Sequence, residues 1–258
     1  MAAKSRPLGV DIGGSGIKGA PVDLDAGVFA KDRLRIETPE ESTPDAVTDI
    51  VARIAKHFQA TTGHSPIGVT VPGVVTSGVV RTAANIDRSW IGTDAAKLTS
   101  SKLGRPVTVV NDADAAGVGE LHYGAARNVE GLVVLATLGT GIGSALLNHG
   151  KLIPNSELGH LELDGIDAES RASSHARESE ELSWEEWAGR LQRYFAHLED
   201  LLWPDLIVVG GGVSKHAERY LPLLHLRAPI VAAQLGNAAG IVGAAWLAAN
   251  GPGVTTKN

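Results

Sequence analysis

Cysteine is missing from all 258 residues. Its absence removes thiolate catalysis, disulfides and every zinc site that needs sulfur ligands, and it fits a reducing cytoplasm. Long apolar runs are missing too. The first apolar stretch, Leu8-Gly9-Val10, is too short for a signal-peptide core and is broken at once by Asp11, and no later run approaches a membrane span. Positive charge is scarce: 23 basic residues stand against 29 acidic ones, a formal charge of −6. Nucleic acid and anionic lipid would be repelled by that mean field. What the chain does have is 43% hydrophobic residues, enough to fill one large domain or two small ones around a cleft. The terminal GPGVTTKN, residues 251–258, lacks apolar periodicity and reads as a tail.

The N-terminal pattern predicts an antiparallel meander of LGVDIG, IKGAPVDL and AKDRLRIET, separated by glycine- and aspartate-containing turns. Residues 44–57 carry Val47, Ile50, Val51, Ile54 and Ala55 at helical spacing behind Thr43 as N-cap. Strands are expected at 67–71, 78–83 and 107–110, and helices at 94–103, ending at Gly104, and at 113–123. The meander theme then returns, with a strand at 132–138, a turn at 139–141 and a partner strand at 142–147. Residues 167–181 are almost wholly polar, so a mobile surface excursion with little core is expected there. A helix at 183–202, a buried strand at 206–209 and a small-residue helix at 239–249 follow. The order implies two similar α/β halves with a cleft at their junction.

Three glycine turns carry the first chemical signal. In DIGGSGIKG, residues 11–19, a strand ends at Asp11, and Gly13, Gly14, Ser15 and Gly16 make a turn with little side-chain bulk. Backbone N–H groups can there approach anionic oxygens, and Lys18 adds a point charge. A strand follows and not a helix, which excludes the dinucleotide fingerprint; taken alone, the segment reads equally as an ordinary hairpin. LATLGTGIGSAL, residues 135–146, repeats the design with Gly139, Thr140, Gly141 and Gly143, and offers the hydroxyls of Thr137 and Thr140. VVGGGVSK, residues 208–215, follows a buried strand with Gly210, Gly211 and Gly212 and opens a helix, a place suited to a nucleotide's phosphate or sugar.

These turns in this order, with NDADAAGVGE at 111–120 and ELGH at 157–160, resemble the ROK family of actin-like sugar kinases over nearly the whole chain. The short length, the lack of an N-terminal helix-turn-helix and the wording of DIGGSGIKG, NDADAAG and ELGHLELDG are most similar to the polyphosphate-using glucokinases of that family. The resemblance implies a two-lobed actin-like (ribonuclease-H-like) α/β fold, with a smaller lobe over 1–111, the helix at about 239–250 packing back on it, and a larger lobe over 112–258. It implies phosphorylation of glucose at its 6-hydroxyl from inorganic polyphosphate, ATP or both, with Mg²⁺, in a homodimer. The wider family commonly holds zinc with a histidine and three cysteines beside the sugar site; without cysteine, no such zinc is expected here.

Phosphorylating a hydroxyl needs a base, an oriented sugar and positive charge on the phosphate. Asp112, after the buried strand VTVV, is the candidate base; on local sequence it reads rather as a helix N-cap, and the resemblance reverses that preference in favour of the base. Asn111 can donate and accept, as a sugar hydroxyl requires, and Glu157 and His160, three apart, face the same way on one helical turn. The resemblance assigns Glu157, His160, Glu169 and Asn85 to the sugar; for Asn85 and Glu169 a plain loop role stays open. Asp11 is expected to reach Mg²⁺ through water or to orient the phosphate turn. A polyphosphate track would draw on Lys31, Arg33 and Arg35, alternating along a strand, and on Arg171, Arg177, Lys215 and Arg219. Two rivals stand beside this reading: an ATP-only kinase for mannose, fructose or an N-acetylated amino sugar, and a sugar-sensing regulator, which the start of the first strand near Leu8 disfavours.

Overall fold

The computed structural model describes residues 6–251; all of the expected tail but Gly251 lies outside them. In chain order the elements begin with β1 (Leu8–Gly13), β2 (Gly16–Asp23), β3 (Val28–Phe29), β4 (Leu34–Ile36), α1 (Pro44–His57), α2 (Gln59–Thr62), β5 (Ile67–Val71), β6 (Val75–Thr76) and β7 (Val79–Val80). Next come α3 (Ala95–Leu103), β8 (Val107–Asn111), α4 (Asp112–Tyr123), β9 (Leu132–Leu138), β10 (Ile142–Asn148), β11 (Lys151–Ile153), β12 (Glu162–Leu163) and β13 (Ile166–Asp167). The last are α5 (Ala168–Ala172), α6 (Ser174–Ser179), α7 (Trp184–Leu202), β14 (Leu206–Gly210), β15 (Ile230–Ala232) and α8 (Ala239–Asn250). The described residues form two compact units, 6–119 with 238–251, and 120–237.

In the first unit the alternation of LGVDIG buries Leu8, Val10 and Ile12. β1 pairs antiparallel with β2 and parallel with β5, which pairs parallel with β8. The expected third strand is divided: β3 lies on β2 at Val22 and Asp23, and β4 at residues 17–19. Pro21 stands between these stretches and has no N–H to donate, so the ladder breaks opposite it and Lys31 and Arg33 belong to no strand. The strand expected at 78–83 shortens to the β6–β7 hairpin, because Ser77 and Gly78 both take positive φ (52° and 81°), as a two-residue primed turn requires. Thr43 caps α1, and Asp94 caps α3, which ends on the left-handed Gly104. α8 packs on β1 and β5, where Gly9 and Gly68 stand so close that a Cβ on either would come within 1.9 Å of a helix carbonyl. The start of α4 belongs to the same unit, so the division falls inside α4, beyond the boundary expected before it; a Cβ on Gly243 would come 1.7 Å from the Ala115 carbonyl.

The second unit repeats the plan: β9 pairs antiparallel with β10 and parallel with β14, which pairs parallel with β15. α7 opens on a capping box between Ser183 and Glu186 and buries Trp187, Leu191, Tyr194, Phe195 and Leu198. The polar stretch departs from expectation. It forms α5 and α6, and Ala168, Ala172 and Ala176 are buried at four-residue spacing. The Trp187 indole N–H donates to the Ala172 carbonyl at 3.1 Å, so the segment closes the core instead of leaving it. Among the described residues no helix is long and apolar enough to cross a membrane.

Candidate active site

In the first unit the phosphate-like turn is a two-residue connection, Gly14-Ser15, with Gly13 opposite Gly16. Two side chains from outside the hairpin fasten it, and a third residue crowds it. The Thr38 hydroxyl donates to the Gly13 carbonyl at 2.5 Å, and the Arg35 guanidinium donates to the Ser15 carbonyl at 2.7 Å. Arg35 lies so close over Gly16 that a Cβ there would come within 2.7 Å of it. Asn85, at a left-handed φ of 59°, puts its carbonyl 3.1 Å from where a Gly14 side chain would start. Arg35 therefore closes the turn and does not sit on an alternating basic strand.

Asp11 sits near the carboxyl end of β1, where the Thr70 hydroxyl donates to its Oδ1 at 2.9 Å and the Lys18 ammonium lies 3.6 Å from its Oδ2. Asn111 ends β8 and Asp112 opens α4. The helix cap falls to Asn111, whose Oδ1 accepts from the Asp114 N–H at 3.0 Å while its Nδ2 donates to the Gly73 carbonyl at 3.1 Å. Asp112 accepts from the Ala113 N–H at 2.9 Å. Asn111 thus arrives with half its amide committed to the fold, and Asp112 stands beyond the strand end, where open α/β sheets place their ligands.

The second unit gathers the remaining residues. In the β9–β14 pairing Thr137 is opposite Gly210, so the second and third glycine turns are neighbours. Gly211 at φ 84° passes within 2.3 Å, measured from a hypothetical Cβ, of the Leu138 carbonyl; any other residue would be both strained and blocked there. Gly212 begins a 3₁₀ helix to Arg219, kinked at His216, where a regular helix is expected. The Glu169 carboxylate accepts from the Ile142 N–H at 2.7 Å, and Gly141 leaves the room for it. The His175 N–H donates to the Gly139 carbonyl at 3.0 Å. Two groups from the polar stretch therefore hold the 139–141 turn from both sides.

ELGH forms a 3₁₀ turn positioned by the Ser144 hydroxyl, which accepts from the Leu158 N–H at 2.9 Å. Glu157 and His160 do share a face, with carboxylate and imidazole 4.0 Å apart. His160 also meets Asp167 at 2.9 Å. That hydrogen bond is the main reason its pKa is raised, with burial opposing and Glu169 adding. The Glu157 carboxyl is raised chiefly by burial, opposed by His160 and reinforced by Glu169. The cluster thus favours a cationic histidine beside carboxylates, a set able both to donate to and accept from hydroxyls.

Several of these partners are not legible from motifs. Arg35, Thr38 and Thr70 come from segments with no glycine signature, and Asp167 reads as one more acid in a polar run. Glu120, the last letter of NDADAAGVGE, is fully buried and accepts from the N–H groups of Ala125, Gln234 and Leu235 at 2.7–3.0 Å, a scaffold role. A cavity of about 290 Å³ beside α5 and α7 touches none of the glycine turns; its Arg190 and Arg193 are paired with Glu180 and Asp164.

Paired glycine hairpins on two units of the same sheet plan, with carboxylates at the strand ends of the first, define an actin-like phosphotransferase. The ROK family pattern matches residues 7–175, and the chain belongs to that family. It is 52% identical to the polyphosphate glucokinase of Mycobacterium tuberculosis over 92% of this chain and 89% of that one. The crystal structure of the inorganic polyphosphate/ATP-glucomannokinase of Arthrobacter sp. strain KM superposes with a TM-score of 0.91 at 53% identity, covering 95% of this chain and 98% of that one. The ROK family glucokinase of Streptomyces griseus, solved with glucose and AMPPNP, matches with a TM-score of 0.81 at 27% identity over 96% of this chain and all of that one.

Proposed function

We propose that this protein transfers the terminal phosphoryl group of inorganic polyphosphate or ATP to the 6-hydroxyl of glucose. The observation that carries the reading is Asp112 at the carboxyl end of β8, with the cap of α4 taken by Asn111, in a chain half identical to a polyphosphate glucokinase. Asp112 accepts the O6 proton as O6 attacks the terminal phosphorus; the bridging P–O bond breaks, and the electron pair leaves on ADP or on the shortened polymer. The residues present fit Mg²⁺: Asp11 is a single anchored carboxylate, and that ion usually takes one or two carboxylates plus donor phosphates. When bound it would neutralise charge on the transferred group.

Lys18, Ser15 and the backbone of 13–16, 137–141 and 210–212 are assigned to the donor. Glu157, His160, Glu169, Asn85 and the uncommitted part of the Asn111 amide are assigned to the sugar hydroxyls. A homodimer and a cytoplasmic location complete the reading. The name of the Arthrobacter enzyme adds mannose to the acceptors worth offering. The test is purified protein with glucose and Mg²⁺, and polyphosphate or ATP as sole donor, scored for glucose 6-phosphate; no product from either donor sinks the proposal.

A further inference from the structure

Trp184, the first residue of α7, collects an unusual company. The Arg177 guanidinium lies 3.7 Å from its ring centroid and that of Arg219 5.6 Å. His216 is 5.7 Å away, and Tyr220 is stacked at 5.8 Å with 11° between the planes. The two cations come from elements tied to different glycine turns. Arg177 is on α6, whose His175 N–H holds Gly139 of the second turn. Lys215, His216 and Arg219 are on the 3₁₀ helix that begins at Gly212, in the third.

Like charges drawn to one indole repel each other unless something neutralises them. Among the described residues no carboxylate is paired with Arg177 or Lys215, the Arg177 Nε is buried without a hydrogen-bond partner, and Arg219 has only its neighbour Glu218 at 4.0 Å. Arg190 and Arg193, by contrast, are each paired with a carboxylate. In a chain of net charge −6, cations left without a close carboxylate partner are open to an anionic ligand. Trp184 is already packed against Arg177, Trp187, His216 and Tyr220, so the cluster offers charge and not an open aromatic face to a purine.

We propose that Arg177 and Arg219, which converge on Trp184, form with Lys215 of the same 3₁₀ helix as Arg219 a cationic platform for the phosphates of a linear polyphosphate that lie beyond those held at the glycine turns, so that this cluster selects the polymer over the nucleotide. The proposal rests on the kinase reading above and names the donor specificity of the same unit. Arg219 is exposed and carries the test, since its replacement leaves the Arg177–Trp184–Tyr220 packing in place.

R219Q and K215Q/R219Q are compared with the parent protein on long-chain polyphosphate, tripolyphosphate and ATP, with melting curves as the folding control. Loss of one phosphate contact per variant side chain is expected to raise the KM for long-chain polyphosphate about tenfold, at about 1.4 kcal/mol per contact, and to shift the KM for ATP much less. The salt dependence of polymer binding should flatten as fewer counter-ions are released, and R219K should restore most of the affinity. Equal losses with ATP and polymer, or an unchanged polymer KM, would overturn the platform. Polymer binding measured without sugar separates the two readings: if the parent protein makes no glucose 6-phosphate yet binds polymer through Arg219, the kinase reading fails and the platform stands.

Discussion

The two sheets share one plan, but their carboxyl edges differ. In the first unit Asp11 lies near the end of β1, and Asp112 directly follows β8, with β5 between the two strands. In the second unit the ends of β9 and β14 carry Thr137, Leu138 and Gly210, with no acid among them. Its carboxylates arrive instead from the excursion between β11 and α6, through Glu157, Asp167 and Glu169, and two of them, Asp167 and Glu169, accept from backbone N–H groups. The hairpins differ in the same sense: Arg35 fastens the first with positive charge, Glu169 the second with negative. The proposed roles put the reactive group of this repeated backbone in one unit and the positioning groups in the other.

The comparison breaks most readily at Asp112. D112N is expected to fold normally and lose at least about a thousandfold in kcat, the scale of a missing general base; turnover near the parent value would place the chemistry elsewhere. In the second unit the largest effect should be on stability. E120A strands the N–H groups of Ala125, Gln234 and Leu235, and a loss of about 3 kcal/mol in denaturant unfolding is expected, at about 1 kcal/mol or more per orphaned donor.

A matched pair sharpens the contrast between the hairpins. R35Q should raise the KM for both donors about tenfold and leave that for glucose nearly unchanged, whereas E169Q, at a residue that holds the 139–141 turn and is assigned to the sugar, should raise the KM for glucose by a similar factor together with that for the donors. The same response from both variants would erase the distinction. The smallest effect concerns pH. The raised His160 pKa favours its protonated form in the folded protein, so the stabilisation from Asp167 is fully present below the ordinary value of 6.5 and fades as pH rises through the folded value. D167N should bring the His160 titration, followed by NMR, back toward 6.5 and remove that fade; an unmoved titration would discount the pair.

Local signals were strongest where a cap and a periodic run coincide. Thr43-Pro44 and the apolar spacing behind them mark α1 to its last residue, and Asp94 and Gly104 bracket α3. They fail where partners decide. The division between β3 and β4 follows from Pro21 on a different strand, and the run 167–181 reads as surface because its alanines are too few to outweigh the polar residues between them, although Trp187 makes them core. Glu169 is visible as an acid, but its hydrogen bond to Ile142 spans 27 residues, and nothing local announces it.

By itself the sequence determined the glycine turns, the repetition of the meander, the strand-end position of Asp112 and the family, because each is written in contiguous residues whose spacing constrains the backbone directly. Only the tertiary structure decided that Asn111 and not Asp112 caps α4, that Arg35 closes the first turn, that Asp167 holds His160, and that Arg177 and Arg219 converge on Trp184. Those roles depend on side chains brought together from distant segments, and the distance along the chain carries no trace of the distance in space.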